Sequence, residues 1–186
     1  MKLGVLVSGR GSNLEAILRA GLPVTIVISN RAGVPALSIA SAHDVPTRLL
    51  RRSDFADADA RDTAIGSALA ACGVDVAVLA GYDQLLRPSY FAAFGGRTIN
   101  IHPSLLPAHG GVGMVGDAVH RSVLDAGDPE TGCTVHEVTD DLDGGPILAQ
   151  ARVPVHAGDD AVTLADRVLS EEHRLLVETL RGLGAA

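Results

Sequence analysis

Short β-branched runs alternate along this chain with Ala- and Leu-rich stretches of helical spacing, and few architectures accommodate that alternation. Strands are predicted at residues 3–7, 24–29, 47–50, 74–79, 98–101, 134–138 and 147–153. Helices are predicted at 14–20, 35–43, 58–72, 89–94, 116–126 and 161–180. Strands separated by helices pair in parallel through crossovers, so the class is α/β, with a Rossmann-like, mainly parallel sheet and helices on both faces. Residues 5–7 and 76–79 are apolar throughout, the pattern of strands covered on both sides. The last two strands follow one another across DDLDGG with no helix between them, which predicts a C-terminal antiparallel hairpin. In the final helix, Leu164, Val168, Leu175 and Leu176 form a core stripe. No repeat, linker or composition shift divides the chain, so a single domain over 1–186 is expected.

Composition narrows the function. A chain of 186 residues that is 47% hydrophobic can bury a sizeable core and is too apolar for disorder. Its net charge of −7 opposes a protein that grips a nucleic-acid backbone, but allows a local site for one phosphate. Cys72 and Cys133 form no CxxC, and both are read as buried thiols with no redox or metal role. The apolar runs are too short to span a bilayer, so a cytoplasmic protein with neither membrane nor nucleic-acid partner is expected.

Two segments carry chemistry. SGRGSN (8–13) follows a buried strand and opens a helix, where the amides of Ser12 and Asn13 would be free to bind a phosphate at the positive end of the helix dipole. A dinucleotide fingerprint would want glycine at Leu14 and an acid near Ser29 or Asn30, so the loop suits a single phosphate better than NAD. The alternative is a strand-to-helix turn that needs glycine for its backbone alone. The second segment is TINIHPSLLP. Asn100 and His102, two residues apart at the end of a strand, share a face at the edge where α/β sheets bind ligands. Asp143 stands in a separate loop beside Gly144 and Gly145. A carboxylate near the imidazole would fix its tautomer and favour its charged form. Taken singly, His102 also fits a capped core histidine and Asp143 a turn former.

These segments, together with VISNRAGVPAL, AGYDQLLRP, GCTVHEVTDDLDGGPILAQARVPV and EEHRLL, resemble the phosphoribosylglycinamide formyltransferases over nearly the whole chain. The resemblance implies transfer of a formyl group from the co-substrate 10-formyltetrahydrofolate to the amine of glycinamide ribonucleotide in purine synthesis, with no metal. It implies a catalytic set of Asn100, His102 and Asp143, with Asn100 and protonated His102 on the oxyanion and Asp143 relaying the proton. Gly11, Ser12 and Asn13 would hold the nucleotide phosphate and Glu172 another part of the nucleotide. Leu85 and Leu86, with Asp140, Asp141 and Asp143, would line the folate pocket, supported by Thr134 and His136.

The chain departs from this pattern at Asp83 and Gln84, where many relatives carry Met and Arg. It departs again in a long Gly-rich segment, 108–120, expected to be mobile, with His109 and His120 read as solvated loop histidines. A methionyl-tRNA formyltransferase would add an RNA-binding domain that the acidic balance opposes. A deformylase would place a regulatory domain before the first strand, and none is expected. A nucleotide-binding oxidoreductase is disfavoured by Leu14 and Asn30, and a non-catalytic homologue by the presence of Asn100, His102 and Asp143.

Overall fold

In the computed structural model, which describes residues 1–185, the alternation resolves into seven strands and six α-helices. In chain order these are β1 (Leu3–Val7), α1 (Ser12–Arg19), β2 (Val24–Ser29), α2 (Pro35–Ala42), β3 (Thr47–Leu49) and α3 (Ala58–Ala71). They continue with β4 (Val76–Leu79), α4 (Pro88–Phe94), β5 (Arg97–His102), α5 (Asp117–Ala126), β6 (Glu130–Glu137), β7 (Ile147–Pro154) and α6 (Ala161–Ala185). A short 3₁₀ turn at Arg52–Asp54 was not predicted. The strand at 134–138 in fact begins at Glu130, because Thr131, Gly132 and Cys133 pair with Val153, Arg152 and Ala151 of β7. Asp128, Pro129 and Glu130 read as a turn by propensity, and cross-strand pairing overrides that reading. The chain divides into two compact units, Met1–Ile99 and a second beginning at Asn100, so β5 runs out of one and into the other.

In the first unit the strand order is β3-β2-β1-β4, and the pairs β2–β3, β1–β2 and β1–β4 are all parallel. The chain steps outward twice from β1 and then returns to its other side. With right-handed crossovers that reversal puts α1 and α2 on one face and α3 on the other. The helix contacts agree, since α1 packs on α2 and α3 on α4. The reversal also opens a crevice beyond the carboxyl ends of β1 and β4, the place where open α/β sheets take ligands. All five residues of β1 and all four of β4 are buried, as their uninterrupted apolar runs predict.

The second unit is organised by the antiparallel β6–β7 pair, against which α6 packs, with α5 lying against α6. Leu164, Val168, Leu175, Leu176 and Leu180 form the buried stripe of α6. Its first turn is closed reciprocally: Asp160 Oδ1 accepts from the Thr163 amide at 2.8 Å, and Thr163 Oγ1 accepts from the Asp160 amide at 3.0 Å. The two thiols differ from expectation in one respect. Cys133 is buried, but Cys72 is exposed because it caps the end of α3 rather than continuing its inner face.

Tight packing of α3 on α4 depends on Gly66. A Cβ there would lie 2.6 Å from the Tyr90 carbonyl oxygen and 2.9 Å from the Phe94 amide, both backbone atoms that cannot move aside. Gly66→Ala is therefore expected to lower the unfolding free energy by about 1–3 kcal/mol, despite alanine's better helix propensity. Urea titration of the two proteins checks this, and a variant at least as stable as wild type would contradict it.

Candidate active site

The loop after β1 turns into α1 through Gly11, whose φ of 81° lies in the left-handed region. No side-chain hydrogen bond caps the helix start. Gly11 is also demanded by packing, because a Cβ would sit 2.7 Å from both Cα and Cβ of Ala36 on α2. The backbone reading of this glycine is thus correct, and it is compatible with the phosphate reading.

The loop after β4 is tied down by the two residues that depart from the family pattern. Asp83 donates its amide to Ser8 Oγ at 3.0 Å, while its carboxylate accepts from Asn30 Nδ2 at 2.7 Å and from the Arg31 guanidinium. Asp83 therefore joins the ends of β1, β2 and β4. Gln84 accepts from Arg61, which also donates to the Leu85 carbonyl at 3.2 Å and to Asp62 at 2.7 Å. The second carboxylate oxygen of Asp62 takes the Arg87 amide at 2.8 Å. Arg61 and Asp62 are buried, so this pair is held by its hydrogen bonds as much as by charge. Leu85 stands 62% exposed on the loop, a large apolar side chain open to solvent, and Leu86 is half-buried.

In the second unit, Asn100, His102, His136 and Asp143 converge. Asn100 and His102 lie on the last three residues of β5, and His136 comes from β6, where the register slips between Val135 and His136. Such irregularities re-aim side chains next to sites. His136 Nδ1 donates to the Glu137 carbonyl at 2.9 Å, so its Nε2 accepts from Asn100 Nδ2 at 3.1 Å. That tautomer fixes which way the Asn100 amide faces. His102 Nε2 donates to the carbonyl of His109 at 3.0 Å, which turns Nδ1 toward Asp143 Oδ2, 3.9 Å away. Asp143 Oδ1 is 3.7 Å from His136 Nε2, and Asp143 Oδ2 accepts the Gly111 amide at 2.9 Å. The carboxylate thus lies in ion-pair range of both rings without a direct hydrogen bond to either. Asp143 is a turn former as well, with φ at 56°, a conformation aspartate tolerates better than most residues.

Behind this cluster Thr134 pins the HPSLLP segment. Its hydroxyl donates to the Ser104 carbonyl at 2.7 Å and accepts from the Leu106 amide at 3.1 Å and Gln150 Nε2 at 2.9 Å. Asp140 and Asp141 are exposed in the β6–β7 loop that carries Asp143. Glu172 is 8% exposed on α6. The Cys133 thiol is pushed up to about 12, by burial first and then by the charges of Glu172 and Glu171.

Two expectations are corrected. His109 is not a solvated loop histidine: its side chain is 14% exposed, with Nδ1 2.8 Å from Ser122 Oγ and Nε2 2.7 Å from Asp128 Oδ2. His120 is buried on α5. In both cases glycine-rich surroundings suggested solvent; instead Ser122 and Asp128 hold the His109 ring, and His120 belongs to the buried face of α5. Residues 98–102 and 139–145 showed the candidate site residues in sequence, but the partners of His109, at Ser122 and Asp128, left no spacing signal.

The formyl transferase family model matches residues 1–180. The phosphoribosylglycinamide formyltransferase of Escherichia coli (strain K12) is 40% identical over 181 residues, covering 94% of this chain and 83% of that protein. The bovine trifunctional purine biosynthetic protein adenosine-3 is 39% identical over 97% of this chain, which spans only 18% of that protein's length. Among solved structures, glycinamide ribonucleotide transformylase 1 from Symbiobacterium toebii superposes with a TM-score of 0.91 at 42% identity, covering 97% of this chain and 86% of that one. The phosphoribosylglycinamide formyltransferase from Brucella melitensis gives 0.90 at 43% identity over 100% of this chain and 96% of its own. The chain belongs to the formyl transferase family, and within it to the phosphoribosylglycinamide formyltransferases. Among the described residues, no helix is long and apolar enough to cross a membrane.

Burial holds the pKa of His136 below its ordinary value, with the nearby His102 adding to the shift and Glu137 and Asp143 opposing it. His120 is lowered for the same first reason, again reinforced by His102 and opposed by Asp117. A histidine lowered on folding binds protons better when unfolded. Its contribution to stability is therefore whole above the ordinary value of 6.5 and is lost as pH falls through the folded value. The Tm is expected to fall as pH drops from about 7 to about 5, and to fall less steeply in His136→Asn. Equal slopes in the two proteins would show that His136 titrates alike folded and unfolded.

Proposed function

We propose that this chain transfers the formyl group of 10-formyltetrahydrofolate to the amine of 5'-phosphoribosylglycinamide, a step of purine biosynthesis. The observation that carries the reading is the convergence of an amide, an imidazole and a carboxylate, from Asn100, His102 and Asp143, in a member of the formyl transferase family. The neutral amine attacks the formyl carbon, forming the new C–N bond, and the carbonyl oxygen takes up negative charge. Asn100 gives one amide hydrogen to His136 and has a second for that oxygen. His102 has committed Nε2 to His109, so it meets the oxyanion through Nδ1–H, which requires the imidazolium. Each such donor is worth about 3–4 kcal/mol in a preorganised site. Asp143, beside Nδ1, offsets that positive charge and accepts the proton released by the attacking amine. Collapse then breaks the bond to the folate nitrogen, which leaves with a proton.

Substrate positions follow from the same reading. Gly11, Ser12 and Asn13 hold the nucleotide phosphate with first-turn amides. Glu172 contacts the nucleotide, and Leu85, Leu86 and the 140–143 loop line the folate pocket. Because Asp83 and Gln84 are spent on Asn30, Arg31 and Arg61, they shape the folate loop rather than meet the ligand.

Mixing the protein with both substrates and following tetrahydrofolate release tests the reaction. Release that needs glycinamide ribonucleotide supports it, and release from the folate alone would indicate hydrolysis instead. Asp143→Asn keeps shape but not charge, and is expected to lower kcat by about 10²–10⁴-fold with both KM values nearly unchanged. Combined with His102→Asn it should be little worse than the poorer single variant, since both disable one apparatus. Near-wild-type turnover in Asp143→Asn would remove that residue from the chemistry.

A further inference from the structure

We propose that His109, clamped between Ser122 and Asp128, is the positioning residue that sets the orientation of His102 and Asp143, an inference that rests on the functional reading of that pair. The three residues 109–111 serve both partners. The His109 carbonyl accepts from His102 Nε2 at 3.0 Å, and the Gly111 amide donates to Asp143 Oδ2 at 2.9 Å. Ser104 Oγ donates to the Ala108 carbonyl at 2.6 Å and reaches the His109 carbonyl at 3.5 Å, but beyond that point Gly110, Gly111, Gly113 and Gly116 give the backbone wide conformational freedom. His109 itself sits at φ 53°, a left-handed conformation that a histidine keeps only when its surroundings impose it.

The imposing contacts are at the two ends of the ring. Nδ1 lies 2.8 Å from Ser122 Oγ on α5, and Nε2 lies 2.7 Å from Asp128 Oδ2 in the turn between α5 and β6. An imidazole held at both nitrogens cannot rotate, so its Cα and the following peptide plane are fixed to α5. The carbonyl then stands as a stationary acceptor that holds the hydrogen of His102 on Nε2 and points Nδ1 at Asp143. Without the clamp the carbonyl keeps only the long contact to Ser104 Oγ, His102 can place its hydrogen on either nitrogen, and Nδ1 no longer faces the carboxylate by default.

The test uses the full chain with Ser122→Ala and Asp128→Asn combined, both half-exposed positions, alongside Ser122→Thr, which keeps the hydroxyl. Nitrogen-15 spectra of the histidine rings, recorded without substrate at about pH 8.5 where imidazoles are neutral, read the His102 tautomer directly. Wild type should show His102 with its hydrogen on Nε2 alone, and the double variant a mixture of the two tautomers. The double variant should also lose roughly 10- to 100-fold in kcat with either KM changed by less than about twofold, while Ser122→Thr stays close to wild type. A double variant with the wild-type tautomer, or with wild-type kcat, would overturn the proposal, as would a Ser122→Thr as impaired as the double variant. Because the ring spectra need no substrate, a wild-type chain inactive in formyl transfer would refute the functional reading alone.

Discussion

Two buried imidazoles, those of His102 and His136, are each anchored to a backbone carbonyl through one ring nitrogen, and that anchoring organises the candidate site. His102 is 4% exposed and gives Nε2 to a backbone carbonyl, leaving Nδ1 for the carboxylate of Asp143. His136, 2% exposed, gives Nδ1 to a carbonyl and so must accept at Nε2, which sets the Asn100 amide. Each ring is oriented by main chain, the least adjustable part of the structure, and each then meets a polar side chain of the candidate site, Asp143 or Asn100. An unpaired nitrogen at either ring would cost about 1–3 kcal/mol, so the arrangement is kept by desolvation as well as by geometry.

The main-chain atoms that do this orienting need support of their own. Thr134 holds residues 104 and 106 with two hydrogen bonds from β6, so the exit from β5 is braced from β6. The αL turn at Asp143 lets the β6–β7 loop return its carboxylate toward the strand ends instead of into solvent. In the first unit the corresponding brace is Asp83, which ties the loop ends of β1, β2 and β4 through Ser8, Asn30 and Arg31. Both braces place a polar side chain where it satisfies several groups at once. Rigid loops on a strand framework result, and that is what a binding site on such a framework needs.

Much of this was legible in the residues. Residues 3–7 are recognised to the residue because a strand covered on both faces favours an unbroken apolar run, and 24–29 by their β-branched content. Asn100, His102 and Asp143 stand out because polar groups at a strand end and in a Gly-flanked turn have no reason to be there for packing. The start of β6 was not legible, since Glu130 and Thr131 acquire strand geometry only by pairing with β7. Nor was the burial of His109, whose neighbours in sequence are glycines and whose neighbours in space are Ser122 and Asp128.

Periodicity and residue chemistry are local properties, and they determined the α/β class, the buried strands, the glycine turn at Gly11 and which polar residues stand at the strand ends as candidates for the chemistry. The tertiary structure alone decided which nitrogen of His102 and of His136 carries the hydrogen, which way the Asn100 amide faces, and that Asp83 braces a loop. The physical reason is that hydrogen-bond direction depends on atoms brought together from distant parts of the chain, and no pattern along the chain encodes the approach of an imidazole to a carbonyl across a fold.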